Sequence, residues 1–207
     1  MSRVIFRFTM EFFSCTMVKK WESDCMNKAI SVREMCAIGV FAAVISVCAL
    51  VSTPMPNGVP MTLQTFAIPL AGIVLGKRNG VLAAVIYVLL GAAGVPVFHN
   101  MNGGFGVLLG PTGGFILSFP LMALTAAIGA GKNNSLWLVS WLTAGAVINY
   151  ACGMLWFTAV TSNGLITAFL ACVAPFLIMD TAKIIVVASL GKILKKVLKH
   201  HKKEVSL

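Results

Sequence analysis

Apolar residues run almost without interruption through six segments, at 35–52, 63–76, 79–97, 113–131, 135–157 and 174–192, with polar residues gathered in the short stretches between them. Runs of this kind lack the alternation of a half-buried strand and predict helices that are hydrophobic all round, as lipid requires. A membrane β-barrel would instead show segments of roughly ten residues alternating in polarity. The segment 63–76 is short for a bilayer core that takes about 20 helical residues. Its end is therefore expected to be a loop folded into the protein, which is tolerated where it lines a cavity. A further apolar stretch at 164–172 predicts a short interfacial or re-entrant helix.

Charge orients these segments. Between Glu34 and Lys192 the only charged residues are Lys77, Arg78, Lys132, Asp180 and Lys183. With six crossings, the loops at 53–62, 98–112 and 158–173 share one side and hold no Lys or Arg. The N-terminal arm, the second and fourth loops and the tail hold fifteen of the sixteen basic residues. The positive-inside rule then places both termini in the cytoplasm; five or seven crossings would scatter the same charges. Composition agrees: 58% of the 207 residues are hydrophobic and 11% charged, with a mean hydropathy of +0.93, against about 45–50% and 25% in soluble domains.

The expected fold class is therefore an all-α polytopic membrane protein, a six-helix bundle with cytoplasmic termini. The bundle is expected at 35–192, with a basic cytoplasmic arm at 1–34 and a basic cytoplasmic tail at 193–207. The arm carries Glu11 and no small-residue cleavage site, so it is a poor signal peptide, and Met26 is an alternative start. The net charge of +10 reports topology and contact with anionic lipid. It does not argue for nucleic acid, because there is no basic, aromatic-interleaved soluble face. The six cysteines show no CxxC and no zinc spacing, and read as small buried hydrophobes. No metal and no cofactor is implied.

The sixteenth basic residue is Lys183, three positions from Asp180 in an otherwise apolar run. Counted from Pro175, which suits the first turn of a helix, the two lie roughly 7 and 12 Å below the outer end. Residues three apart share a helix face. Each charge costs about 3 kcal/mol in a membrane. An internal pair that braces the bundle and a polar pair lining a ligand cavity are both open. The second is favoured, because ion pairs are poor evidence of stability and membrane charges are functional by default.

Other polar positions converge on the outer side. The first outer loop, STPMPNGVPMTLQTF, is stiffened by Pro54, Pro56 and Pro60 and turned by Asn57–Gly58. Thr62 and Gln64 share a face if the chain there is extended; Thr62 as a helix cap is the plainer reading. The glycine-rich GAAGVPVFHNMNGGFGVLLGPTGGF at 91–115 reads as a fixed turn. Its Gly103–Gly104 and Gly113–Gly114 suit either close approach to a ligand or close helix packing. His99, in the same stretch, is the one histidine outside the tail. In INYACGMLWF, Asn149 and Tyr150 need partners at depth, in a ligand or a neighbouring helix. Trp156 suits an interfacial anchor or a pocket wall, and Trp137 and Trp141 suit an interfacial belt.

Three runs carry a resemblance: MTLQTFAIPLAGIVLGKRNGVLAAVIYVLLGAAGVPVF, GGFGVLLGPTGGFILSFP and PFLIMDTAKIIV. The chain resembles the BioY family, the biotin-capturing components of energy-coupling-factor (ECF) transporters, over residues 35 to 192. The resemblance implies a six-helix bundle with a biotin site near the outer face, lidded by the first loop. It also implies partnership with a membrane coupling protein and two cytosolic ATPase subunits. The family's D-x-x-K falls on Asp180 and Lys183, and its T-x-Q-T on Thr62, Gln64 and Thr65. The glycine loop falls on Gly103, Gly104, Gly110, Pro111, Thr112, Gly113 and Gly114, and the polar position of the fifth helix on Asn149 or Tyr150. Asn102 stands where some members carry Arg beside the Gly-Gly element, so the resemblance does not carry over a second cation for the carboxylate, and His99 is the candidate substitute.

Biotin suits these residues: a carboxylate, a ureido ring with two N–H donors, and an apolar bicycle need few polar contacts and much apolar wall. The assignment expected is Lys183 on the carboxylate, with Asp180 orienting Lys183 or meeting the ureido ring. In the first helix, Gly39 with Ala43 and Ala42 with Ser46 are small residues four apart. They suit docking of the coupling protein or packing within the chain. Rival classes are a capture component for another vitamin or small carboxylate, and a carrier or channel without ATPase partners. The carrier lacks a polar path through the inner halves of the segments. Enzyme activity is not expected, since an intramembrane protease needs two membrane Asp residues or a Ser/His pair. GIVLGKR at 72–78 is not a phosphate loop, having one residue too few and no Ser/Thr.

Overall fold

The computed structural model describes residues 30–53, 55, 59–132 and 134–204. The basic arm up to residue 29, with Met26, lies outside the described residues, as do Pro54, Pro56 and the Asn57–Gly58 turn and the last three positions of the tail. The chain divides into the units Met1–Met35 and Cys36–Leu207.

In the first unit the described residues open helix α1 (Val32–Leu50) with a capping box. The Glu34 amide donates to Ser31 Oγ at 3.3 Å, and the Ser31 amide donates to Glu34 Oε2 at 2.9 Å.

In the second unit α1 buries one stripe, Ile38, Ala42, Ile45 and Ala49, and leaves Val40 and Val47 exposed. Such apolar outward faces suit a lipid solvent. A two-stranded antiparallel ladder follows, β1 (Ser52–Thr53) and β2 (Met61–Thr62), with Ser52 opposite Thr62. Helix α2 (Gln64–Ala92) is broken at Gly76, where φ is 82° and ψ −177°. The chain reverses there. A Cβ on Gly80 would lie 2.7 Å from the Gly72 Cα, and the Gln64 side chain donates to the Tyr87 hydroxyl. In a straight helix residues 64 and 87 would be about 35 Å apart. The arms 64–75 and 77–92 are thus an antiparallel hairpin.

After a 3-10 turn (His99–Met101) come the short α3 (Phe105–Leu109) and then α4 (Gly113–Gly129). Helix α5 (Ser135–Thr161) is capped by Asn134, whose side chain accepts from the Leu136 amide at 2.9 Å. Helices α6 (Leu165–Cys172) and α7 (Phe176–Glu204) complete the chain. Packing is close where residues are small: a Cβ on Gly72 would lie 2.2 Å from the Ala123 carbonyl oxygen. One core cluster joins Ile73, Ala126, Leu138, Leu142, Val187 and Ala188. A second joins Val59, Phe157, Ala168, Cys172, Val173 and Phe176.

The architecture is all-α apart from the small ladder. Among the described residues three helices, α1, α2 and α5, are long and apolar enough to cross a membrane, and α6 with α7 makes a fourth candidate bent by 49°. The six segments expected from sequence differ from this count for two reasons. The folded α2 passes as one helix although its arms run antiparallel, and α4 has only 17 residues. The apolar stretch expected at 164–172 forms α6, tilted against the start of α7.

Candidate functional site

Helix α7 carries the ionised pair on one face. Lys183 Nζ lies 2.8 Å from Asp180 Oδ1. It also donates to the Thr62 carbonyl and to Thr65 Oγ1, each at 2.9 Å. An ammonium has three N–H donors, so all three are engaged. Asp180 Oδ1 additionally accepts from the Thr65 hydroxyl at 3.0 Å, and Oδ2 accepts from the Tyr150 hydroxyl at 2.5 Å. Side-chain exposure is 12% for Lys183 and 8% for Asp180. The β1–β2 ladder, continued by a bond from the Leu63 amide to the Val51 carbonyl at 3.3 Å, holds Thr62 where its backbone meets Lys183.

This cluster borders a cavity that is partly open to solvent. Of the residues expected in the site, Thr62, Gln64, Thr65, His99, Asn149, Tyr150, Asp180 and Lys183 line it. Thr62 ends β2 and Gln64 opens α2, so the pair share the wall by way of a strand-to-helix junction. The Thr62 hydroxyl donates to Gln64 Oε1 at 3.2 Å and accepts from the Gln64 amide at 3.4 Å; the N-cap of α2 is Leu63, which makes no side-chain cap bond, so Thr62 is not the helix cap. The Gln64 amide group, bonded to Tyr87, ties this junction to the far arm of α2; Tyr87 in turn donates to the Val97 carbonyl at 3.3 Å. Asn149 is 2% exposed, and its Nδ2 donates to the Phe115 carbonyl at 3.1 Å and to Ser118 Oγ at 2.7 Å. His99 reaches the wall from the 3-10 turn, and burial holds its pKa below the usual histidine value.

Gly103 and Gly104 do not line the cavity. A Cβ on Gly103 would lie 2.5 Å from the Val95 carbonyl oxygen, and Gly104 adopts φ of 97° while its amide bonds the Gly91 carbonyl at 2.7 Å. They shape the loop that presents His99. Gly113 and Gly114 lie under Trp156, where a Cβ on Gly114 would meet the Trp156 Cβ at 2.3 Å. Trp156 donates to the Gly110 carbonyl at 3.0 Å and clamps this turn rather than lining the cavity. Trp137 and Trp141 pack edge to face at 5.8 Å, with Lys132 over the Trp137 ring.

Sequence reasoning singled out Pro60 only as a stiffener of the first loop, and it did not single out the other apolar walls: Val59, Phe115, Ile116 and Phe119 of α4, and Cys172 and Phe176. Their types do not differ from those of lipid-facing positions. Thr112, quoted only as part of the glycine loop, also borders the cavity. On α1 the two small-residue pairs separate. Gly39 and Ala43 are exposed, and a Cβ on Gly39 would meet nothing within 4 Å, whereas Ala42 is 2% exposed. Ser46 is half-buried and donates to the Ala42 carbonyl at 2.9 Å. Among the described residues no group of His, Cys, Asp or Glu could hold a metal ion, and the four described cysteines are free.

Comparison with known proteins gives one consistent result. A model of the BioY family matches residues 24–200. A biotin transporter BioY of Thermotoga maritima is 40% identical over 168 residues, 79% of this chain and 96% of that protein. A probable biotin transporter BioY of Pyrococcus horikoshii is 39% identical over 153 residues, 73% of this chain and 89% of that protein. Among solved structures, the S-component for biotin from an ECF-type ABC transporter superposes with a TM-score of 0.73 at 22% identity, covering 88% of this chain and 95% of that one.

Proposed function

The chain belongs to the BioY family, and we propose on that premise that it is the substrate-capture component of an ECF-type ABC transporter. It takes biotin into the cavity beside Asp180 and Lys183 and mediates its uptake across the cytoplasmic membrane. The observation that carries this reading is the place of the ion pair, which borders a cavity instead of facing lipid or closing off a packed core. A charge pair buried for stability alone gains little over apolar residues, and here its surroundings offer a ligand both polar groups and apolar wall. Relatives of 39–40% identity that carry the name of biotin transporter support the choice of ligand. The role is capture and transport, not catalysis.

The reading extends to finer features. Counting the arms of α2 separately gives six crossings at α1, 64–75, 77–92, α4, α5 and α7, with 35–192 as the membrane domain and both termini cytoplasmic. The charge distribution supports this orientation. The cavity then opens outward, beneath the first loop. Asp180 is the partner with capacity left for a ligand: Oδ2 carries one hydrogen bond, and a carboxylate oxygen accepts two. Lys183, with all three donors engaged, would meet a carboxylate only by giving up a present partner. The ureido ring accordingly lies at Asp180, with the bicycle between Phe115, Phe119 and Phe176. The exposed Gly39–Ala43 face of α1 receives the membrane coupling protein, which is driven by two cytosolic ATPase subunits.

Mass spectrometry of small molecules released from the purified protein, followed by a biotin titration, tests the reading. Biotin is expected in the released fraction and in saturable one-to-one binding. Release of a different vitamin, or no saturable biotin binding, overturns it.

A further inference from the structure

The amide of Asn149 has its orientation dictated by α4. Its terminal atom lies 3.1 Å from the Phe115 carbonyl oxygen. A backbone carbonyl only accepts, so the atom facing it is the nitrogen. Ser118 donates its own proton to the same carbonyl at 2.9 Å and accepts the second amide proton through its oxygen at 2.7 Å. Both amide protons are thereby engaged. Oδ1 has no hydrogen-bond partner among the described residues, although Asn149 is 2% exposed and lines the cavity. A buried polar atom left without a partner is costly, and native structures rarely keep one without a reason.

We propose that Asn149 Oδ1 accepts one of the two ureido N–H groups of biotin, and that Ser118 is the positioning residue that makes it an acceptor. Ser118 does not line the cavity; it acts through Asn149 alone. A free asparagine amide can present either its oxygen or its nitrogen to a ligand. The hydroxyl and carbonyl supplied by α4 remove that choice, so this wall takes N–H donors. Asp180 Oδ2 on α7 is another acceptor with spare capacity on the cavity wall, so the wall holds acceptors for both N–H donors of the ligand. The inference rests on the reading of the cavity as a biotin site.

The test measures binding of biotin and of its two mono-N-methylureido derivatives to wild type, Asn149→Leu, Ser118→Ala and Ser118→Thr. In wild type, methylation of the nitrogen that faces Asn149 weakens binding about tenfold. Asn149→Leu weakens biotin by a similar factor and hardly changes that derivative, so the discrimination collapses. Ser118→Ala narrows the discrimination about threefold, and Ser118→Thr, which keeps the hydroxyl, restores it. A purely structural role for either residue would weaken biotin and both derivatives alike, and that outcome overturns the proposal. Tight biotin binding by wild type with unchanged discrimination in Ser118→Ala overturns the positioning role alone. Failure of wild type to bind biotin overturns the reading of the cavity, and the proposal with it.

Discussion

Thr65 and Asp180 are joined across 115 residues of chain by a hydrogen bond of 3.0 Å, and the same Thr65 oxygen accepts from Lys183 at 2.9 Å. The hydroxyl therefore sits inside the ion pair and ties the mouth of α2 to the first turns of α7. Polar networks of this kind are stable only when every member is satisfied. With Tyr150 on Oδ2 and the Thr62 carbonyl on Nζ, the pair has that support from three elements.

Replacing Thr65 by Val keeps the shape and removes the hydroxyl, leaving Lys183 one acceptor short and Asp180 one donor short. The expected loss is about 1–3 kcal/mol of stability, together with weaker biotin binding. Thr65→Ser should stay near wild type in both. Chemical unfolding in detergent and a biotin titration check this, and a Val variant as stable as wild type would show that the bridge is incidental.

Single removals from the pair should be severe. Lys183→Ala leaves a buried carboxylate without its counter-charge, and Asp180→Asn leaves a buried ammonium; each is expected to cost about 3–5 kcal/mol. The double variant Asp180→Asn/Lys183→Met should cost clearly less than the two single changes added together, yet still fail to bind biotin. Lys183→Arg should keep part of the binding. A double-mutant cycle in unfolding, run beside titrations, separates stability from recognition. Additive losses would mean that the two side chains do not act as a pair.

The polar half of the cavity was visible in the sequence because an Asp and a Lys inside an apolar run are anomalies that demand a partner. Gln64 and Asn149 announced themselves in the same way. The apolar half was not visible. Phe176 borders the cavity while Phe169, one helix earlier, is exposed, and nothing in residue type tells the two apart when the solvent is itself apolar. The same ambiguity hid the difference between Ala42, which is buried, and Ala43, which is exposed. The glycines were legible as a tight turn but not as to purpose. Only the placement of Trp156 over Gly113 and Gly114 assigns them to helix packing.

Gly76 is where the long α2 becomes a hairpin. Its φ of 82° with ψ of −177° lies in a region that L side chains almost never adopt, and a Cβ there would meet nothing within 4 Å. The cost of Gly76→Ala is therefore backbone strain alone, about 1–3 kcal/mol. Gly106→Ala is the control: it also meets no neighbour, and it should stay within about 0.5 kcal/mol. Thermal or denaturant unfolding in detergent compares the two, and equal stability would mean that the reverse turn does not need glycine.

The two small-residue pairs of α1 make opposite predictions, because the helix turns them to different surroundings. Gly39 is exposed with open space above it, and Ala42 is buried at 2% exposure. A tryptophan at Gly39 has room within the protein, so folding and biotin capture should be unchanged. It would project about a helix radius beyond the face proposed to receive the coupling protein, so uptake in cells that supply that protein and the ATPases should stop. A tryptophan at Ala42 has no such room; overpacking a filled core costs about 1–3 kcal/mol or more, and both capture and uptake should fall together. Biotin titration of the purified variants, paired with uptake by whole cells, reads the two effects separately. Normal uptake by Gly39→Trp would remove this face from the docking surface, whatever else the bundle does.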